Sequence, residues 1–542
     1  MPTEIATNPF TAERLLFTPV TPDDGATPVI FAFPNTYSVG ITSLGYQVVW
    51  ATLAQRPDLS VSRLFTDIHE PLPADPELLG LSLSWELDYV NILTLLESLE
   101  IPIWATERDD SDPIVFGGGP VLTANPEPFA EFFDVVLLGD GEVLLEAFLD
   151  VFQESRGCDR ATRLRRLAQV PGVYVPSLYQ VTYQAIDGPV ASIQPIDSDI
   201  PAQLEKQTYR GDHLSTSTVV TPQAAWENIY MVEVVRSCPE MCRFCMASYL
   251  TLPFRVAPIN SLVAAIEKGL AKTSRLGLLG ASITQHPEFA DLLDYLNQPQ
   301  HDDVRLSLAS VRTNTVNRQL TETLTRHGSR SVTIAVESGS ERLRRIVNKK
   351  LETDDIIAAA VNAKAGGLSA LKLYGMAGIP GELPEDLEAT VTMMQQVKKA
   401  ASGLRLTLGC STFVPKAHTP FQWYGVNKAA EKRLKFLQKH LRSQGIDFRP
   451  ESYNWSVMQG LIARGDRRLA KLLVQVRDYG DSLGSYKRAF KDLKGQLPPL
   501  SFYVHDDWPV DQPLPWDHIG GPLPKGTLIK HREDAIAHFP TP

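Results

Sequence analysis

Val234-Val235-Arg236-Ser237-Cys238-Pro239-Glu240-Met241-Cys242-Arg243-Phe244-Cys245 decides how this chain is read. The spacing is C-x3-C-x2-C, directly after an apolar run, IYMVEVV from Ile229, that reads as a buried strand. Three thiolates on one short loop can wrap a four-iron, four-sulfur cubane, leaving its fourth iron without a protein ligand. Structural zinc wants a fourth ligand, and the nearest candidates, His213 and His286, stand well outside the loop. Only five cysteines occur in 542 residues, and three are here. That excludes a disulfide framework and points to a metal or redox role in a reducing compartment.

Downstream of the loop, strand-like runs alternate with helical patterns. The runs are RLGLLG, VRLSLAS, SVTIAVE, ALKLYGM and RLTLGCS, and the helices include 261–272, 318–327, 353–365 and 384–400. With the first strand they make six strand-helix repeats, a partial barrel of the triosephosphate-isomerase type with its site at the carboxyl ends of the strands. Upstream, TPVIFAF from Thr27, ELLGLSLS from Glu77, PIVFG from Pro113 and FDVVLL from Phe133 alternate with helices at 41–54 and 90–100. That is a parallel Rossmann-like sheet, whose ligands bind beyond the carboxyl ends of its strands. Gly117, Gly118, Gly119, Gly139, Gly141 and Glu142 fall at those ends.

The expected organisation is therefore α/β. It comprises an irregular lead-in at 1–24, a Rossmann-like domain at 25–184, a polar linker at 185–226, the partial barrel at 227–425 and a mostly helical C-terminal domain at 426–542. The net charge of -11 argues against an extended nucleic-acid surface and leaves a local basic patch open. Residues 455–496 carry nine Lys/Arg against four Asp. They are either a site for a phosphate-rich substrate, even RNA, or a solvated or salt-bridged helix face. The N-terminus shows no signal-peptide pattern and no apolar run approaches ~20 residues, so the expectation is a cytoplasmic protein without membrane contact.

The cysteine segment, with Phe244 before its third Cys, resembles the signature of the radical S-adenosylmethionine (SAM) superfamily. Further segments are similar to superfamily elements in the same order. Gly280-Ala281-Ser282 stands where a Gly-Gly-Glu-like motif contacts the SAM amino group, without the Glu. Ser310 and Arg312 end strand three, Glu337 ends strand four, and Gly378-Ile379-Pro380-Gly381-Glu382 resembles an adenine-contacting segment. The resemblance implies an enzyme with Cys238, Cys242 and Cys245 on a 4Fe-4S cluster, SAM as cosubstrate and an electron donor such as flavodoxin or ferredoxin. Reductive cleavage of SAM would yield a 5'-deoxyadenosyl radical acting on an unidentified substrate.

The Rossmann-like domain ahead of the barrel resembles the cobalamin-binding class within that superfamily. Segments such as Phe33-Pro34-Asn35-Thr36-Tyr37, Gly118-Gly119-Pro120 and Leu514-Pro515-Trp516-Asp517-His518-Ile519 are similar to a subgroup without an assigned reaction, through nearly the whole chain. In the class, an Asp-x-His-x-x-Gly loop can place His on cobalt. Here Asn35 and Tyr37 stand in for the Asp and the His. Asp67-Ile68-His69 lies later and lacks the Gly. The resemblance implies that Asn35, Tyr37, Ser82, Ser84, Gly117–Gly119, Gly139, Gly141 and Glu142 lie around a cobalamin. It leaves open a domain that kept the fold and lost the cofactor. With cobalamin the reaction is methyl transfer. Without it, rearrangement, ring formation or thiol insertion remains, and a non-enzymatic cluster-carrying sensor is the further alternative.

Overall fold

Short apolar runs buried on both faces build the first sheet, the pattern expected of parallel strands covered by helices. The computed structural model describes residues 8–540. The strands of its first sheet are β1 (Thr27–Ala32), β2 (Leu59–Leu64), β3 (Leu78–Ser82), β4 (Ile114–Gly118), β5 (Val135–Leu137) and β6 (Val173–Tyr174). Their spatial order is β2-β1-β3-β4-β5-β6. All pairs are parallel except β5–β6. From β1 the chain steps to β2 on one side, then to β3 on the other, so the switch point lies between β1 and β3. Helices α1 (Leu44–Ala54), α2 (Tyr89–Ser98) and α3 (Gly141–Glu154) cover the sheet.

The second series gives β7 (Ile229–Glu233), β8 (Arg275–Leu279), β9 (Arg305–Leu308), β10 (Ser331–Glu337), β11 (Ala370–Ala377), β12 (Arg405–Thr412) and β13 (Asp447–Pro450). β7-β8-β9 and β10-β11-β12-β13 are each parallel, and a parallel bridge between Val311 and Ile334 joins them. Alternate residues such as Leu276, Leu306, Ile334, Leu373 and Leu408 are buried in the layer under the helices. The other face lines an open lumen. The barrel thus has seven strands where the sequence shows six. The extra one, β13, follows the helix α4 (Ala430–Arg442), so the boundary expected at 425/426 cuts through the barrel.

The expected linker is also revised. Residues 179–183 and 190–195 form an antiparallel hairpin across its start. Val219–Val220 pair with Arg14–Leu15, and Leu204–Glu205 pair with Ile519–Gly520. The polar stretch is therefore folded onto both neighbours. Of the expected lead-in, residues 1–7 lie outside the described residues, and Arg14–Leu15 form that two-residue ladder. The C-terminal helices α5 (Tyr453–Ala463), α6 (Leu469–Asp478) and α7 (Leu483–Asp492) share one apolar core with the first sheet through Leu461, Leu472 and Tyr486. No helix among the described residues is long and apolar enough to cross a membrane.

Candidate active site

The cysteine loop leaves β7 and returns as a zipped hairpin. Val235–Arg236 pair antiparallel with Arg255–Val256, Arg236 facing Arg255, so both ends of the loop are fixed side by side. Within it Ser237 and Met241 adopt left-handed backbone, with φ of +73° and +57°, a conformation that costs energy for non-glycine residues and clusters at functional sites. The Ser237 hydroxyl donates to the Ala247 carbonyl at 3.0 Å, and the Cys245 N–H to the Cys242 carbonyl at 2.9 Å. Arg243 Nη1 donates to the carbonyls of Arg345 and Ile346, both at 2.8 Å, at the end of a short helix, Glu341–Ile346. A cation there satisfies carbonyls that a helix end leaves free. Asn348 Nδ2 holds the carbonyls of Glu240 and Met241 at 3.2 and 2.9 Å.

Cys242 is buried, and Cys238 and Cys245 are partly buried. Burial pushes the Cys242 thiol up to about 12 and raises Cys245 as well. Glu337 and Lys349 stand close enough to act on Cys242. These two pair at 2.8 Å, both nearly buried. Burial works against the Lys349 ammonium, but Glu337 outweighs it and raises its pKa. Glu337 has φ +62° at a bulge in the β10–β11 pairing, a device that re-aims a side chain at a strand end. Its side chain faces the cysteine loop, near Cys242. Arg312 contacts Glu240 at 3.0 Å and so also reaches the loop. Ser310 instead lines the barrel lumen. Gly280 has φ +146°, and a Cβ there would lie 2.6 Å from the Val235 carbonyl oxygen. Ala281 is exposed, whereas the Ser282 hydroxyl is buried without a partner among the described residues. Ile379 is fully buried, in an apolar cluster with Leu343 and Phe413 against which Phe244 packs. Its side chain has no face open to a ligand.

In the N-terminal sheet a cavity of about 240 Å³ opens at the switch point. Phe31, Val49, Leu81, Phe116 and Leu137 form its apolar floor. Ser82, Ser84, Gly118, Gly119, Gly139, Gly141 and Glu142 lie around it. Gly139 has φ +128°, and a Cβ there would sit 2.1 Å from the Gln207 carbonyl oxygen, so only glycine fits. Three expected residues are not part of this cavity. A Cβ at Gly117 would meet Phe133 and Leu122, on the other face of the sheet. Asn35 donates to Asp88 at 3.2 Å. Tyr37 is buried against Phe10 and Phe65, its hydroxyl donating to Glu13 at 2.6 Å. Burial first and Glu13 second hold that phenol protonated. Asp67 caps the Tyr37 N–H at 2.7 Å and His69 turns to the Glu70 carbonyl, so that dyad is structural.

Sequence reading missed what joins the two regions. Arg236 lines the N-terminal cavity and immediately precedes Ser237 and Cys238. It binds Glu142 and Glu233, each at 2.7 Å, and reaches Asp140 at 3.5 Å. Arg255 binds Asp140 at 2.6 Å. Burial opposes the Asp140 charge, but the two guanidiniums override it and lower its pKa. In the basic stretch at 455–496, Lys471, Lys487, Arg488, Lys491 and Lys494 are exposed, whereas the arginines at its start are spent inside. Arg464 donates to the carbonyls of Tyr503, Val504 and Asp506, Arg467 clamps Glu127, and Arg468 pairs with Asp466. Cys410 is buried on the helix side of the barrel, away from the lumen.

A parallel barrel with a three-cysteine loop after its first strand, joined to a doubly wound sheet, defines the class of protein. Residues 66–176 match the family model for radical SAM proteins, N-terminal, and residues 232–394 match that of the radical SAM superfamily. The chain belongs to the radical SAM superfamily, whose domain implies a 4Fe-4S cluster and SAM. It is 27% identical over 468 residues to an uncharacterized protein of Methanocaldococcus jannaschii, spanning 85% of this chain and 93% of that one. An uncharacterized methyltransferase of Pyrococcus horikoshii is 25% identical over 296 residues, 52% of this chain and 57% of that one. The fold is similar to that of the radical SAM methyltransferase TsrM of Kitasatospora setae, solved with cobalamin and a 4Fe-4S cluster. The TM-score is 0.50 and the identity 15%, over 73% of this chain and 77% of that one.

Proposed function

We propose that this enzyme holds a 4Fe-4S cluster on Cys238, Cys242 and Cys245, cleaves SAM there, and carries cobalamin in the N-terminal cavity for methyl transfer. The cluster fits the donor set. Three thiols share one loop, close enough to influence one another. Among the described residues no three His, Cys, Asp or Glu side chains are grouped as a single ion needs. A cubane needs no such grouping, because each thiolate takes its own iron. The cavity fits a nucleotide tail. Its floor is apolar, its rim carries hydroxyls, and a Cβ at Gly118 would meet nothing closer than 3.8 Å. Reduced by a donor such as flavodoxin or ferredoxin, the bound cluster supplies one electron to SAM, and cobalamin supplies a transferable methyl group.

The chain's own residues orient these groups. Glu337 and Lys349 place a charge pair beside the thiols. The observation that carries the reading is Arg236, which walls the N-terminal cavity and anchors the cysteine loop at once. The methyltransferase names of the Pyrococcus and Kitasatospora proteins support it. The test is iron, sulfide and cobalamin content of anaerobically purified protein, with SAM cleavage under reduction. Wild type should hold all three and cleave SAM. Replacing any one of the three cysteines with Ala should remove most iron and all cleavage. Full iron in the triple Ala variant refutes the cluster assignment. Absence of cobalamin uptake, with cleavage intact, refutes methyl transfer.

A further inference from the structure

A closed barrel fills its lumen with large branched side chains. Here the lumen face carries small ones. Register places Gly277 beside Ser307, Thr333 in line with Thr407, and Ala335 in line with Tyr374 and Gly409. The result is a cavity of about 630 Å³ below the cysteine loop. Two aromatic rings stand in its lining, Tyr374 at 52% and Trp226 at 54% exposure, unusually open for such residues. A Cβ at Gly409 would lie 3.2 Å from the Tyr374 ring, so glycine leaves that ring its room.

Arg275 and Glu227 are the charged residues of that lining, and strand alternation puts further cations on the lumen face towards the start of the strands. Arg275 and Arg305 are register partners on β8 and β9, and Lys372 and Arg405 stand on the same face of β11 and β12. Arg275 donates to the Glu227 carbonyl at 2.8 Å and stands 3.7 Å from its carboxylate. Arg305, Lys372 and Arg405 have no ion-pair partner among the described residues, whereas Arg449 pairs with Asp447 at 2.7 Å. So many unpaired cations along one concave face, in a chain of net charge -11, create a local positive potential. At ~3.3 Å per residue, the rung of Arg405 lies about 20 Å below that of Ser411.

The geometry points to a substrate that lies along the lumen, a planar ring on Tyr374 and an anionic group, phosphate or carboxylate, on the Arg275, Arg305, Lys372 and Arg405 floor. Its reacting end would rise to the SAM site, which makes it on the order of 15 Å long. This rests on the reading of the cysteine loop as the reaction centre. Tyr374 is then a recognition residue, and the four cations set specificity.

Four probes test the site on anaerobically reconstituted protein by calorimetry: 2-naphthyl phosphate, 2-naphthoate, 2-naphthol and inorganic phosphate. Both naphthyl anions should bind at least ten-fold tighter than naphthol or phosphate. The better anion identifies the source, phosphate ester or carboxylic acid. Lys372→Gln and Arg405→Gln should weaken the anions about ten-fold and leave naphthol unchanged. Tyr374→Ala should weaken all three naphthalenes. Equal binding of naphthol and the anions, or anion binding unmoved by both charge-removing variants, overturns the assignment. SAM cleavage by wild type is scored separately. Cleavage without probe binding refutes the lumen site alone, and failed cleavage refutes the reaction centre on which it rests.

Discussion

Asp140→Asn tests whether the N-terminal domain holds the cysteine loop in place. The Asp140 carboxylate meets Arg255 at 2.6 Å and Arg236 at 3.5 Å and accepts the Tyr209 N–H at 2.9 Å. Those arginines are register partners at the two ends of the loop. Asn keeps the shape and an acceptor for Tyr209 but loses the charge. At ~3 Å and an effective dielectric of about 20, each contact is worth about 5 kcal/mol gross. Desolvation offsets most of that in a largely buried pair, leaving a net loss of about 2–3 kcal/mol. If iron leaves after the hairpin opens, release should quicken about 30- to 160-fold. The assay is anaerobic iron extraction by a chelator, followed optically. Arg255→Gln should match it, and the double variant should be no faster than the faster single, because both remove one interaction. Release within two-fold of wild type in both singles, or additive effects, would refute the clamp.

Acid should loosen the packing of the C-terminal segment. Burial lowers His418 and His518 to about 4, so each favours the folded state when neutral and its contribution, about 3 kcal/mol, is full above pH ~6.5 and lost as pH falls towards 4. His418→Asn, which tolerates the left-handed backbone there, should flatten part of that loss in thermal midpoints taken across pH 4–7; an unchanged profile argues against it. Tyr37→Phe should lower stability by about 1–2 kcal/mol through lost hydrogen bonding to Glu13 yet leave cobalamin uptake intact. The cobalt(II) resonance of wild type should lack a nitrogen superhyperfine pattern, and its appearance would show a histidine or the cofactor's own base on the metal.

Much of the architecture was legible because its signals are local. The patterns predicting a strand at 331–337 and helices at 353–365 and 384–400 match the observed elements. β13 was not legible. Its four residues, Asp-Phe-Arg-Pro, include one buried apolar side chain, and its strand character comes from pairing with β12. The expected linker failed for the same reason. Two of its ladders are two residues long and pair with Arg14–Leu15 and Ile519–Gly520, partners hundreds of positions away. Periodicity records which face is buried and says nothing about a remote edge.

The site divides along the same line. Three cysteines within eight positions carry their chemistry in their spacing, and the hairpin around them needs only neighbouring residues. Tyr37 shows the opposite case. A family motif places its position at the cofactor, and the backbone turn there persists, but the ring is held by Glu13, Phe10 and Phe65. Losing the histidine therefore leaves a packed wall, with no vacant ligand position facing the cavity. The cavity has glycines, a hydroxyl rim and an apolar floor, the set that the proposed reading assigns to the tail of a cofactor and not to its metal. Selection on tail binding alone would preserve that set while Tyr37 joined the core. Under the proposed reading, Arg236 serves twice, walling the cavity and clamping the cysteine loop through Glu142, and the loop clamp would persist in a domain that had lost the cofactor.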